Sequence, residues 1–65
     1  MTYEDAFNKA CGPAIKYLSY ELFDNDKRLD VGFEVYGKEY HVGVTINGDL
    51  ERAWTEAGRL ARRRV

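Results

Sequence analysis

Two runs of alternating apolar and polar residues, separated by a short glycine-containing break, constrain the fold of this chain more than any other feature. The apolar positions of the two runs are Leu29, Val31, Phe33, Val35, Tyr40, Val42, Val44 and Ile46. A period of two over both runs is typical of an antiparallel β-hairpin that buries one face. We therefore predict a hairpin with strands 29–36 and 39–46, joined by a two-residue turn at Gly37-Lys38.

A turn at Gly37-Lys38 also predicts which residues of the two strands face each other. The expected pairs on the buried face are Val35 with Tyr40, Phe33 with Val42, Val31 with Val44, and Leu29 with Ile46. On the open face the same register places Glu34 opposite His41 and Gly32 opposite Gly43. We interpret the Glu34–His41 pair as a surface ion pair, with a pH-sensitive contact or a general base as the alternative.

Helical spacing of apolar residues is found on both sides of the hairpin. After Asn47-Gly48-Asp49 the spacing predicts a C-terminal helix over residues 49–63, whose apolar stripe consists of Leu50, Ala53, Trp54, Ala57, Leu60 and Ala61. The N-terminal spacing predicts a helix that begins after Thr2 as N-cap and is kinked or broken at Gly12-Pro13. Its stripe consists of Phe7, Cys11, Ile15, Leu18 and Leu22.

The N-terminal segment has a second interpretation. Residues 17–23 alternate and are rich in aromatic side chains, so they are also predicted as a third strand, which gives the element order αβββα. A third strand would stabilise the sheet, because an isolated two-stranded hairpin is barely stable. In either case the chain is predicted to be a single α+β domain over residues 1–65.

The short length of the chain limits its sources of stability, and its single cysteine indicates a reducing compartment. A domain of this length buries only about 60% of its unfolded surface, and a single cysteine allows no internal disulfide. The first residues, Met1-Thr2-Tyr3-Glu4-Asp5, are acidic and lack the apolar run of a signal peptide, and no apolar run of membrane-spanning length follows. Together with the free cysteine, these features predict a cytoplasmic protein.

Residue types that support catalysis are scarce. The chain has one His, one Cys and one Ser, and Cys11 is predicted to be a buried core residue rather than a nucleophile. The acidic run Asp24-Asn25-Asp26 lacks the glycine and glutamate that a calcium loop requires. The glycines are spread over the hairpin instead of forming a phosphate loop. We predict no enzyme activity, no catalytic residues, no metal site and no cofactor.

The charge is unevenly distributed, and this points to binding. Ten acidic and five basic residues lie in residues 1–51, whereas one acidic and five basic residues lie in residues 52–65, for a net charge of −1. The open sheet face and its turn are predicted to carry a partner-binding surface made of Asp30, Glu34, Tyr36 and Glu39. Aromatic side chains among carboxylates are suited to a protein interface or to the place of DNA phosphates on a basic partner.

Two alternatives use other features of the chain. Four arginines near the C-terminus form a candidate nucleic-acid-binding cluster, Arg59, Arg62, Arg63 and Arg64. They also suit a helix C-terminus, where cations interact favourably with the dipole. The third prediction is a self-associating structural module, in which two copies join their sheets through the hairpin edges. The expected state is a monomer or a homodimer, without a membrane partner.

In size, composition and layout, the whole chain resembles small phage-encoded inhibitors, especially anti-CRISPR proteins. These inhibitors share no common motif. The resemblance implies a non-catalytic protein in a bacterial cytoplasm that occludes a surface of a CRISPR effector complex, such as a DNA-binding groove met by the acidic face. The basic tail departs from a pure DNA mimic.

Overall fold

The structure is a computed structural model that describes residues 2–64. Its elements follow the order αβββα: α1 (Tyr3–Cys11), β1 (Ile15–Phe23), β2 (Arg28–Val35), β3 (Lys38–Thr45) and α2 (Leu50–Arg62). The strands form one antiparallel sheet in the order β1-β2-β3, so β2 is central. This confirms the α+β class and the alternative with a third strand.

The N-terminal helix ends at Cys11 and does not continue through the Gly12-Pro13 step. Gly12 adopts a φ of 85° and its N–H bonds the carbonyl of Asn8 at 3.0 Å, which closes the helix end. The helical stripe predicted beyond this point is therefore wrong, since Ile15, Leu18 and Leu22 belong to β1. Periods of two and 3.6 overlap in this segment, and pairing with the otherwise open edge of β2 decides in favour of the strand.

The turn of the β2–β3 hairpin lies one residue earlier in the chain than predicted, and the predicted register is therefore wrong. The turn is Tyr36-Gly37, with φ values of 50° and 82°, and two positive φ values are typical of a type I′ turn. The observed pairs are Val35–Lys38, Glu34–Glu39, Phe33–Tyr40, Gly32–His41, Val31–Val42, Asp30–Gly43, Leu29–Val44 and Arg28–Thr45. The glycine occupies the second turn position instead of the first, which shifts every pair by two residues.

A shift of two residues preserves the predicted faces, because side chains alternate with a period of two. Both helices cover the face formed by the apolar positions. The core is composed of Phe7, Cys11, Ile15, Leu29, Val31, Phe33, Val35, Val42, Val44, Ala53, Trp54, Ala57 and Ala61. Within residues 2–64 no polar or charged residue is buried. The inward face of the hairpin and the core position of Cys11 are thus as predicted.

A close helix contact fixes α1 against α2. A Cβ atom on Gly58 would lie 2.6 Å from the Phe7 carbonyl oxygen and 2.7 Å from the Ala10 Cβ. Tyr3, at the start of α1, stacks on Trp54 in the first half of α2 with ring centroids 6.3 Å apart. The two helices therefore run in the same direction, and their positive N-terminal ends lie at the same end of the molecule.

The edge strand β1 contains a bulge that keeps both of its tyrosines on the helix side. Tyr17 lies opposite Phe33, whereas Ser19 lies opposite Gly32, so Leu18 is the extra residue. After the bulge Tyr20 lies opposite Val31, and it returns to the same face as Tyr17.

Neither α1 nor α2, the helices described within residues 2–64, has the length and the apolar composition that a membrane-spanning helix requires.

Candidate functional site: the open sheet face

The sheet face that points away from the helices carries most of the charged strand residues. The alternation of side chains places Lys16, Ser19, Glu21, Phe23, Arg28, Asp30, Gly32, Glu34, Glu39, His41, Gly43 and Thr45 on it. We call this surface the open face. Three of the predicted partner-binding residues, Asp30, Glu34 and Glu39, lie on it, and the fourth, Tyr36, lies in the turn at its end.

Two carboxylates of the open face are directly opposed. Glu34 and Glu39 form a cross-strand pair next to the turn, and Asp30 lies on the same face further along β2. Within residues 2–64 the basic side chains that lie within 4.0 Å of a carboxylate are His41, beside Asp30, and Arg59, beside Glu56, so neither glutamate has a basic group within that distance. Like charges directly opposite each other destabilise a sheet. On its other side Glu34 lies opposite Lys16 of β1, so this end of the open face holds two glutamates and one lysine, and Glu39 at the edge has no cation directly opposite it.

The side chain of Tyr36 extends into solvent beside the two glutamates. It is 83% exposed, the largest exposed fraction among the exposed large hydrophobic residues. Its backbone has a φ of 50°, a conformation that costs a bulky residue about 1–2 kcal/mol. Asn, Asp and Gly suit this turn position better than Tyr does. Packing within the domain therefore does not account for a tyrosine at this position.

His41 contacts a different carboxylate from the one predicted. Its Nδ1 lies 3.2 Å from Asp30 Oδ2, and both side chains are partly exposed to solvent. Gly32 lies directly opposite His41, and the imidazole covers it, with Cε1 3.1 Å from the point where a Cβ atom would lie. The predicted pairing of Glu34 with His41 is wrong because of the register shift. The predicted pairing of Gly32 with Gly43 is wrong for the same reason.

The open face also brings together the only serine of the chain, its only histidine and an aspartate. Ser19 Oγ and the His41 ring both lie over Gly32, and His41 contacts Asp30. In residues 2–64, however, no hydrogen bond joins Ser19 to His41. A serine nucleophile requires that contact for activation by the imidazole. The arrangement is therefore a glycine covered by two side chains, next to a surface contact between His41 and Asp30.

Cys11 lies on the opposite side of the sheet from His41. Its Sγ contacts the carbonyl oxygens of Gly12 at 3.5 Å and of Asn8 at 3.7 Å. Burial raises the pKa of the Cys11 thiol, which suppresses the reactive thiolate at neutral pH. The structure therefore does not bring Cys11 and His41 together, and Cys11 occupies the core position predicted for it.

The four arginines of the C-terminal cluster have different surroundings. Arg59 lies 4.0 Å from Glu56, and the Arg64 guanidinium lies 5.9 Å from the centre of the Tyr40 ring, within cation–π range. Arg62 and Arg63 line a groove of about 790 Å³ between α1 and α2, and Lys9 and Arg59 line it as well. Sequence reasoning missed Lys9, because only the packing of α1 on α2 brings it to this groove.

The acidic run between β1 and β2 is a tight turn. Asp24, Asn25 and Asp26 all have positive φ, which Asn and Asp tolerate better than most residues. The part of the chain covered by the structure, residues 2–64, contains no group of three or more His, Cys, Asp or Glu side chains placed to hold a metal ion.

Comparison of the chain with protein families, curated proteins and solved structures gave no match.

Proposed function

We propose that this protein is a non-catalytic inhibitor that binds a basic protein surface through its open face. Its contact residues are Asp30, Glu34, Tyr36 and Glu39. In line with the resemblance to anti-CRISPR proteins, the proposed target is a subunit of a CRISPR effector complex, and the occluded surface is its DNA-binding groove.

The observation that carries this proposal is Tyr36. A largely exposed aromatic residue on a strained backbone lowers the stability of the free protein, and a contact outside the chain would account for a tyrosine at this position. Tyrosine is also among the residues that most often dominate the binding energy of an interface. The turn presents this ring at the tip of the hairpin, where a partner can approach without contacting the helices.

The charge of the neighbouring glutamates supports the same function. Glu34 and Glu39 are directly opposed, and Lys16 lies opposite Glu34 alone, so a lysine or arginine of a partner would find a favourable position beside Glu39. Acidic side chains can also compete with the phosphates of DNA for a basic groove. Electrostatic attraction of this kind increases the association rate and decreases with salt.

Infection assays test the proposal. The protein is produced in bacterial strains that each carry one type of active CRISPR system, and the plating of a phage targeted by that system is measured. We expect the protein to restore plating in one of the strains. Replacing Asp30, Glu34 and Glu39 together with lysine should abolish this effect while circular dichroism shows an intact fold.

The matched control reverses three acidic residues on the helices. Replacing Glu4, Glu51 and Glu56 with lysine changes the net charge by the same amount but leaves the open face unchanged. This variant should restore plating as well as the unmodified chain does. Plating that is restored in no strain, or that is restored equally by both triple variants, would contradict the proposal.

A second candidate function is binding of DNA or RNA through the arginine cluster. The specific observation in its favour is that Arg59, Arg62 and Arg63 share the interhelical groove with Lys9. Phosphate contacts by these cations predict an affinity that falls steeply with salt. Fluorescence anisotropy with a labelled duplex and a labelled single strand measures this affinity over a series of salt concentrations. No binding at low salt would exclude the nucleic-acid-binding function.

A further inference from the structure

We propose that two copies of this chain associate through the free edge of β1, which pairs antiparallel with β1 of the second copy. Each copy contributes its three strands to one continuous six-stranded sheet. This inference is independent of the proposed function, because it concerns the edge of the sheet and not its open face. The sequence-based prediction placed self-association at the edges of the hairpin. Because β1 pairs with β2 and covers one of these edges, the proposed contact is moved to the edge of β1.

The two free edges of the sheet differ in how they are protected. β3 exposes Lys38, Glu39 and His41, and charged side chains of this kind discourage strand pairing. β1 also exposes two charged residues, Lys16 and Glu21, and has a bulge, but it differs from β3 in exposing four large apolar residues, namely Leu18, Tyr20, Leu22 and Phe23. An edge strand of nine residues with this composition is a site of strand addition.

The sequence of β1 is complementary to itself about its bulge. If the two-fold axis passes between Leu18 and Ser19, these two residues pair across the axis, and the flanking antiparallel pairs are Ile15 with Leu22, Lys16 with Glu21, and Tyr17 with Tyr20. The first and third of these flanking pairs join apolar residues, and the second joins opposite charges. A two-fold interface requires this kind of self-complementarity, because the same patch serves both partners.

The bulge makes this pairing geometrically consistent. Directly opposed residues of antiparallel strands lie on the same face of a sheet. Within the chain, Ile15, Tyr17, Tyr20 and Leu22 lie opposite core residues of β2 and therefore on the helix side, whereas Lys16 and Glu21 lie on the open face. Without the extra residue Leu18, the two halves of the strand would not match in this register.

An aromatic cluster beside β1 extends the proposed interface. Tyr3 and Tyr20 both contact the Trp54 ring, with centroid distances of 6.3 Å and 5.1 Å, and about half of each tyrosine is exposed. With Leu22 and Leu50 they line a shallow pocket of about 220 Å³. Pairing Tyr17 with the partner copy's Tyr20 would bring the clusters of the two copies together, which removes exposed apolar surface from water.

Charge-reversal variants test the proposed register by sedimentation equilibrium over a concentration series. The unmodified chain should show a mass that rises from monomer to dimer with concentration. Lys16→Glu and Glu21→Lys each place two pairs of like charges in the dimer, so each variant alone should shift the transition to at least tenfold higher concentration. In an equimolar mixture the charges become complementary, and the mixture should dimerise again.

The mixture separates an interface effect from a folding effect, because each variant keeps its own fold whether it is alone or mixed. Lys38→Glu is the control on the opposite edge and should leave the dimer unchanged. A monomer mass at every concentration would overturn the inference. A dimer that survives both single reversals, or a mixture that fails to recover, would also overturn it.

Discussion

Tyr36 combines a strained backbone with an exposed ring. Most residues of this small domain adopt the conformation that their local structure favours. Asp24, Asn25 and Asp26 have positive φ but belong to the residue types that tolerate it, and Gly37 completes the hairpin turn without strain. Tyr36 has neither advantage and forms no part of the core. Such outliers cluster at binding sites, where the surrounding structure holds them in place.

Replacing Tyr36 with asparagine should have opposite effects on stability and on binding. Asparagine tolerates positive φ, so we expect the free energy of unfolding to rise by about 1 kcal/mol, as measured by urea denaturation. Inhibition in the plating assay should nevertheless weaken, because the aromatic contact is lost. Tyr36→Phe keeps the ring and should change neither quantity much. A stabilised Tyr36→Asn variant with full inhibition would remove Tyr36 from the proposed site.

At the scale of the elements, the two helices and the sheet depend on one close approach. α1 and α2 contact each other at Gly58, where the backbone of α1 leaves no room for a side chain. This contact places Trp54 on the sheet, where its ring lies near Tyr17 and Tyr20. The absence of a side chain at Gly58 therefore contributes to the position of the helix pair as much as the apolar contacts do.

Replacing Gly58 with alanine should destabilise the domain, although alanine favours a helix. The gain in helix propensity is about 1 kcal/mol, whereas overpacking against backbone atoms costs typically about 1–3 kcal/mol. We expect a net loss of stability and a lower melting temperature. Gly43→Ala is the matched control, since its Cβ would meet only ordinary contacts at 3.6 Å and beyond. Equal melting temperatures for the two variants would contradict the proposed helix contact.

At the scale of the whole molecule, one small core supports every element. α1, α2 and all three strands contribute to the same cluster of buried residues, and Cys11 is one of them. The one cysteine of the chain is a free thiol, so the core is not reinforced by an internal disulfide. A domain of this size is expected to unfold in a single cooperative step.

The reactivity of Cys11 should report on this cooperative unfolding. The thiol is buried and its pKa is raised by that burial, so a thiolate forms mainly when the domain opens. We expect slow alkylation by iodoacetamide without denaturant and a rate that increases with urea along the same transition as the circular dichroism. Rapid alkylation of the folded protein would show that α1 opens separately from the remaining elements.

Local patterns determined much of this fold. Alternation and turn residues were sufficient to assign the hairpin, its buried face and the C-terminal helix, because these features depend on neighbours in sequence. The predicted strand register differs from the observed one by two residues, because Tyr36-Gly37 and Gly37-Lys38 each contain one glycine and both suit a two-residue turn. The placement of Asp30, Glu34 and Glu39 on the open face survived this error, because a shift of two residues preserves side-chain direction.

Only the tertiary structure decided the rest. Whether residues 15–23 form a helix or a strand depends on pairing with β2, which no local pattern encodes. The opposition of Glu34 and Glu39, the contact of His41 with Asp30 and the approach of Lys9 to the arginines all join residues from different elements. Their positions follow from packing and strand pairing, and those are properties of the folded chain as a whole.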